Sequence, residues 1–260
     1  MQDRYTGDVG DFGKYGLLRS LAGINPPSDE NLRLGVVWYR TDPGHVADPK
    51  DQEDGKHRTY LRETAQRYRD CDPALHAAMM MFLNRKRRLV KNIPALGIFP
   101  DSTSYYDANL GFDHLPWKGP KTSPDRQAHR RDWFTGALAR TAQAELVFLD
   151  PDNGLECASH KPHTKKGPKY VARAELAPFL DRRQSLVVYH HTGRNGGTAK
   201  QQAEAQLRLI GRPGFFLLFR RGTCRAFIVI PIAAHYRLLR ARAAALVDSE
   251  WGRQGHFSLH

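Results

Sequence analysis

The amino-acid sequence predicts an α/β fold, a mostly parallel sheet with helices on both faces. Three observations point there. Residues 146–149 (LVFL) and 185–189 (SLVVY) are short runs, apolar almost throughout, without the alternation of a half-exposed strand, as expected when both faces of a parallel sheet are covered. Segments with helical spacing separate such runs. Several runs end in a cluster of polar and turn-forming residues, and in open α/β sheets ligands collect beyond the carboxyl ends of the strands.

The strongest of these clusters is Asp150-Pro151-Asp152-Asn153-Gly154, directly after 146–149. Two carboxylates, an amide and a glycine at the end of a buried strand mark the expected active-site edge. A turn uses the same residue types, but a turn alone leaves a second cluster unexplained: His190-His191-Thr192-Gly193-Arg194-Asn195-Gly196-Gly197, after 185–189.

Composition bounds the partners. The chain has 260 residues, 40% of them hydrophobic, enough for one large domain with a real core. No apolar stretch approaches the roughly 20 residues that span a bilayer, and Met1-Gln2-Asp3-Arg4 does not open like a signal peptide. A soluble cytoplasmic protein with no membrane partner is expected. The 3 cysteines are dispersed and never form CxxC, against a disulfide framework. Lys plus Arg number 40 against 27 Asp plus Glu, a net charge of +13. That excess favours a polyanion, with nucleic acid, RNA or DNA, the leading partner. The sequence carries no signal for an oligomeric state.

In chain order, residues 1–19 gather Gly7, Gly10, Gly13 and Gly16 with Asp3, Asp8, Asp11 and Lys14. Asp11 is placed to cap a helix carrying Tyr15, Leu18 and Leu21. Glycines cost helix stability and make sense where backbone approaches a ligand closely. Residues 34–39 (LGVVWY) read as the first strand, ending at Arg40-Thr41-Asp42-Pro43-Gly44. Residues 57–92 read as a helical insertion within a single domain spanning 1–260, with Asp72 capping a helix through Leu75, Met79 and Phe82. Its basic run, Arg85-Lys86-Arg87-Arg88, is either a solvated face or a phosphate contact. Residues 96–99 (LGIF) read as a short strand and 112–131 as loop. A helix over 133–141 capped by Asp132 leads into 146–149. The basic stretch 160–169 reads as a lid or a disordered connection. Beyond the histidines follow a helix over 198–210, strands over 215–220 and 225–231 hinged at Gly222-Thr223, and an Arg-rich helix over 233–247.

Laid out in this order, the chain resembles the bacterial ribosomal-RNA large-subunit methyltransferase J family, which is similar to other S-adenosylmethionine-dependent, Rossmann-like adenine-N6 methyltransferases. Gly7, Asp11, Lys14 and Tyr15 stand where the family has a glycine, an acid and a Lys-His pair. Arg40-Thr41-Asp42-Pro43-Gly44 stands for Asp-Thr-His-Ala-Gly, Phe99-Pro100-Asp101-Ser102-Thr103 for Tyr-Pro-Gly-Ser-Pro, and Asp150-Pro151-Asp152-Asn153 for Asp-Pro-Pro-Tyr. The resemblance implies a Rossmann-like fold, with S-adenosylmethionine held near Gly7, Asp11, Lys14, Tyr15, Asp42 and Ser102. It also implies that Asp150 and the Pro151 carbonyl accept the hydrogens of a target amine. Asp152 and Asn153 depart from the pattern at the positions of the second proline and the stacking aromatic.

Two other readings stand beside methyl transfer. Asp150, Asp152 and Glu156 with His190 or His191 are a ligand set suited to Mg or Mn in a nuclease or phosphodiesterase. Adjacent histidines on a strand face opposite ways, so only one of the pair joins such a site; under methyl transfer His190 and His191 are read as deprotonating or holding the substrate. A catalytically inactive nucleic-acid-binding protein on the same fold is the third.

Overall fold

The computed structural model describes residues 3, 6–41, 58–62, 65–83, 89–116, 122–157, 160–193 and 197–260. Its centre is a seven-stranded sheet. In sequence order the strands are β1 (Leu34–Trp38), β2 (Ser104–Tyr106), β3 (Leu146–Asp150), β6 (Ser185–His191), β7 (Phe215–Arg221), β8 (Thr223–Ile230) and β9 (Phe257–Leu259). A separate two-stranded ribbon pairs β4 (Gly154–Leu155) with β5 (Tyr170–Val171). The spatial order is β2-β1-β3-β6-β8-β7-β9. Neighbours from β2 to β6 are parallel, β8 runs antiparallel between β6 and β7, and β9 is antiparallel to β7. This is a Rossmann-like α/β fold.

Both faces of the sheet are covered, which explains the unbroken apolar strands. On one face Val36, Trp38, Phe148, Val187 and Phe219 pack with α1 (Val9–Leu21), α3 (Pro73–Leu83), α7 (Tyr236–Asp248) and α8 (Glu250–Arg253). On the other, Val37, Leu149, Val188 and Ile228 pack under α4 (Thr122–Arg140), α5 (Ala177–Asp181) and α6 (Ala199–Ile210). α2 (Ala65–Arg69) completes the described part of the insertion; its Tyr68 and the nearby Tyr60 ring Phe12 of α1 at 5.8 and 5.3 Å. The insertion is therefore built into the core around α1. Its basic run 85–88 lies outside the described residues.

α1 is buried along its whole length. Its glycines explain how it fits. A Cβ on Gly13 would stand 2.5 Å from the Phe219 ring, and one on Gly16 would stand 2.2 Å from the Trp251 ring. The close approach is to the chain's own aromatics. The cap is Asp8, which accepts from Asp11 N–H at 2.9 Å, and not Asp11. Asp11 is spent elsewhere: its carboxylate accepts from Gly7 N–H and from Lys14 Nζ, both at 2.8 Å.

Two further boundaries differ from the sequence reading. Residues 96–99 are not a strand: a 3-10 turn over Pro94–Leu96 ends at Gly97 in the left-handed region (φ 62°), and the strand follows at β2. α4 begins at Thr122, about three turns earlier than expected and within the sequence read as loop, because Trp133 and Ala137 supply its buried stripe while its polar first half carries the buried Arg130. Among the described residues no helix is long and apolar enough to cross a membrane.

Candidate active site

The chain passes from β1 to β2 on one side and then crosses to β3 on the other. The carboxyl ends of β1 and β3 thus flank a topological switch point, where open α/β sheets form their ligand crevice. Trp38 and Asp150 are register partners there.

Asp150 is 1% exposed, and Lys14, 4% exposed, donates to it at 2.8 Å while also donating to Asp11. Burial raises the Asp150 carboxyl above its ordinary value, with the Lys14 charge opposing. For Lys14 burial works toward the neutral amine, yet Asp11 and Asp150 outweigh it and hold the ammonium. The network continues to Asp8, raised by burial and by Asp11, and to Arg225 at 3.5 Å from it. A charged chain therefore runs from β8 through the first turns of α1 to the end of β3.

Tyr15 and Trp38 stand beside this chain, each 1% exposed. Among the described residues the buried Tyr15 hydroxyl and Trp38 Nε1 have no hydrogen-bond partner, a costly state in an interior. Trp38 stacks on Tyr105 at 5.4 Å and 14°, and Tyr15 meets Phe99 edge-on at 5.7 Å.

The loop after β3 is fixed from both flanks. Asn153 N–H donates to Lys169 O at 2.9 Å, and His191 N–H donates to Asn153 O at 3.1 Å. His190 points the opposite way from His191 and is buried; its Nδ1 accepts from Leu155 N–H at 3.2 Å. Burial, with His191 and Arg173 adding repulsion, pushes the His190 imidazolium down to about 4, so the ring is neutral. His191 is exposed and is the register partner of Arg225. His190 is thus the fastener of the β4 segment.

Asp152 is half-buried, its side chain 8% exposed. It accepts from the Thr41 hydroxyl at 3.2 Å, with Lys169 Nζ at 3.7 Å. Burial acts to raise its carboxyl, but neighbouring positive charge, Lys169 included, and the Thr41 bond bring it below the ordinary value. Lys169 belongs to the basic stretch read as a lid. The backbone at that end of it is held by Arg130, which donates to Gly167 O and Tyr170 O and pairs with buried Glu175 at 2.6 Å, while Tyr39 OH donates to Glu175.

The structure therefore brings together Gly7, Asp11, Lys14, Tyr15 and Asp150, with Pro151, Asp152 and Asn153 beside them. It does not bring in Ser102: since Ser104 pairs with Gly35 at the start of β1, Ser102 sits exposed at the amino end of β2, on the opposite edge. That follows from the displaced strand. Asp42 lies outside the described residues. The acids of the metal reading are dispersed among different cations, Asp150 on Lys14, Asp152 near Lys169 and Glu156 on Arg173 at 3.4 Å. Among the described residues no three His, Cys, Asp or Glu side chains converge to hold a metal. Thr41 and Lys169 fall in segments singled out in the sequence, but Trp38 and Arg225 were not foreseen. Only Arg225 had a usable signal, a cation opening the apolar run 226–230.

No protein-family model matches the chain, and no curated protein matches it.

Proposed function

We propose that the protein is a methyltransferase-like enzyme that binds S-adenosylmethionine in the crevice between β1 and β3 and acts on a base of RNA or DNA. The observation that carries this reading is a pair of buried donors near the switch point, Tyr15 OH and Trp38 Nε1, both unpartnered among the described residues, with the Trp38 ring stacked on Tyr105. The group fits what is present. A purine ring needs a flat apolar wall, which the half-buried Tyr105 offers, and hydrogen-bonding groups, which Tyr15 and Trp38 carry. A sulfonium needs negative charge close by, which Asp152 offers. S-adenosylmethionine, when bound, supplies an electrophilic methyl group.

The chain's own residues set the rest. The Lys14 bridge holds Asp150 and so fixes the turn at Pro151, leaving the Pro151 carbonyl and Asn153 to orient an acceptor. Asp150, tied to Lys14, acts here as a positioning residue and not as the direct acceptor that the resemblance implies. Neutral His190 keeps the loop on β6, and the net charge of +13 suits a phosphate backbone.

Transfer of radiolabel from S-[methyl-³H]adenosylmethionine to total RNA and to genomic DNA tests the reading. Label in one pool, reduced at least ~100-fold by Asn153→Ala, is expected. Absence of label in both pools, or label indifferent to Asn153→Ala, refutes it.

A further inference from the structure

A second cleft, about 580 Å³, lies at the other edge of the sheet. It is lined by Leu180, Ile230, Ile232, Tyr236, Arg212 and Arg237 among others, with no acidic side chain among the described residues. Because β8 is antiparallel to β6 and Ile230 pairs with Leu186, this cleft sits by the amino end of β6, opposite the crevice at Asp150. The two sites share no residue.

Its chemistry is specific. The wall is apolar, and Tyr236 is 38% exposed, one of few large hydrophobic side chains so placed. The Tyr236 ring meets Phe215 edge-on at 6.4 Å and 86°, which sets its orientation. Arg212 and Arg237 are exposed at the rim, and neither makes a hydrogen bond, ion pair or ring contact among the described residues. The neighbouring Arg240, by contrast, lies 5.1 Å over Phe215 and donates to His260 O. An apolar wall with an accessible aromatic ring takes a planar ring, and uncommitted guanidinium forks take phosphate oxygens bidentately. The volume lies within the range of small-ligand sites.

We propose that this cleft binds a planar aromatic anion of the mononucleotide class, its ring against Tyr236 and the apolar wall and its phosphate on Arg212 and Arg237. The proposal is independent of the methyl-transfer reading.

Calorimetric titration of the full chain with adenosine 5′-monophosphate, adenosine and laurate tests it. The nucleotide is expected to bind with a dissociation constant below about 1 mM, and adenosine at least ~10-fold more weakly. R212A/R237A should weaken the nucleotide by ~10-fold or more without changing adenosine, and Tyr236→Ala should weaken both. All these side chains are exposed, so the variants should keep the wild-type melting temperature. Saturating S-adenosylhomocysteine should leave nucleotide binding unchanged. The proposal is overturned if the nucleotide gives no binding, if its affinity survives R212A/R237A, if S-adenosylhomocysteine displaces it, or if laurate binds more tightly.

Discussion

Lys14 joins two carboxylates that lie on different elements and, in the case of Asp150, 136 positions away in the chain. Removing one partner of a buried ion network leaves the others uncompensated, at a cost of about 3–5 kcal/mol. Lys14→Met is accordingly expected to lower the urea-unfolding free energy by that amount. A loss under ~1 kcal/mol would mean that Lys14 does not hold Asp150 in solution. His190 makes a second prediction at this scale. Its ring titrates near 6.5 in the unfolded chain and at about 4 in the fold, because burial and then His191 and Arg173 disfavour the imidazolium. Between those values the unfolded state binds a proton that the native state refuses, so stability is full above pH 6.5 and falls as pH drops toward 4, by ~3 kcal/mol from this group. Asp8 and Asp150, both raised, act in the opposite sense, so the readout is the difference between wild type and His190→Asn. The variant retains a side-chain acceptor for Leu155 N–H and should lose less stability than wild type between pH 6.5 and 4.5.

At the scale of elements, α1 decides how the molecule is put together. Alanine is normally a better helix residue than glycine by about 1 kcal/mol, yet Gly16→Ala would set a Cβ 2.2 Å from the Trp251 ring. Overpacking of that kind costs about 1–3 kcal/mol, so Gly16→Ala should lower the melting temperature; a rise would mean that α1 is not seated against α8. The central strands were legible in the sequence, since runs such as 146–149 and 185–189 have no other use than burial on both faces. So was the position of Asp150 to Gly154 at the carboxyl end of one of them. The glycines of α1 were visible but misread: spacing in one segment does not reveal that Phe219 and Trp251, some two hundred residues on, are what approach. The strand at β2 was misplaced because Leu96 to Phe99 has strand composition while Gly97 adopts a conformation no ladder accepts. The cap fell on Asp8 because Asp11 was needed by Lys14, a contact that pairs a sequence neighbour with a distant strand and leaves no local trace.

For the whole molecule, the property that bears on the proposed partner is the net charge of +13. Association with nucleic acid should weaken steeply with salt, log K falling linearly against log [salt] with a slope of several units as counterions are retained; a flat dependence measured by fluorescence anisotropy would remove the phosphate backbone from the account. The central claim is the crevice itself, and its most direct test is calorimetric titration of the protein with S-adenosylhomocysteine, with and without magnesium, alongside Trp38→Phe. The account predicts binding in the micromolar range without metal, unchanged by magnesium and weakened about 10-fold in the variant, which keeps the ring wall and removes Nε1. Absence of binding, or equal binding to Trp38→Phe, would contradict it.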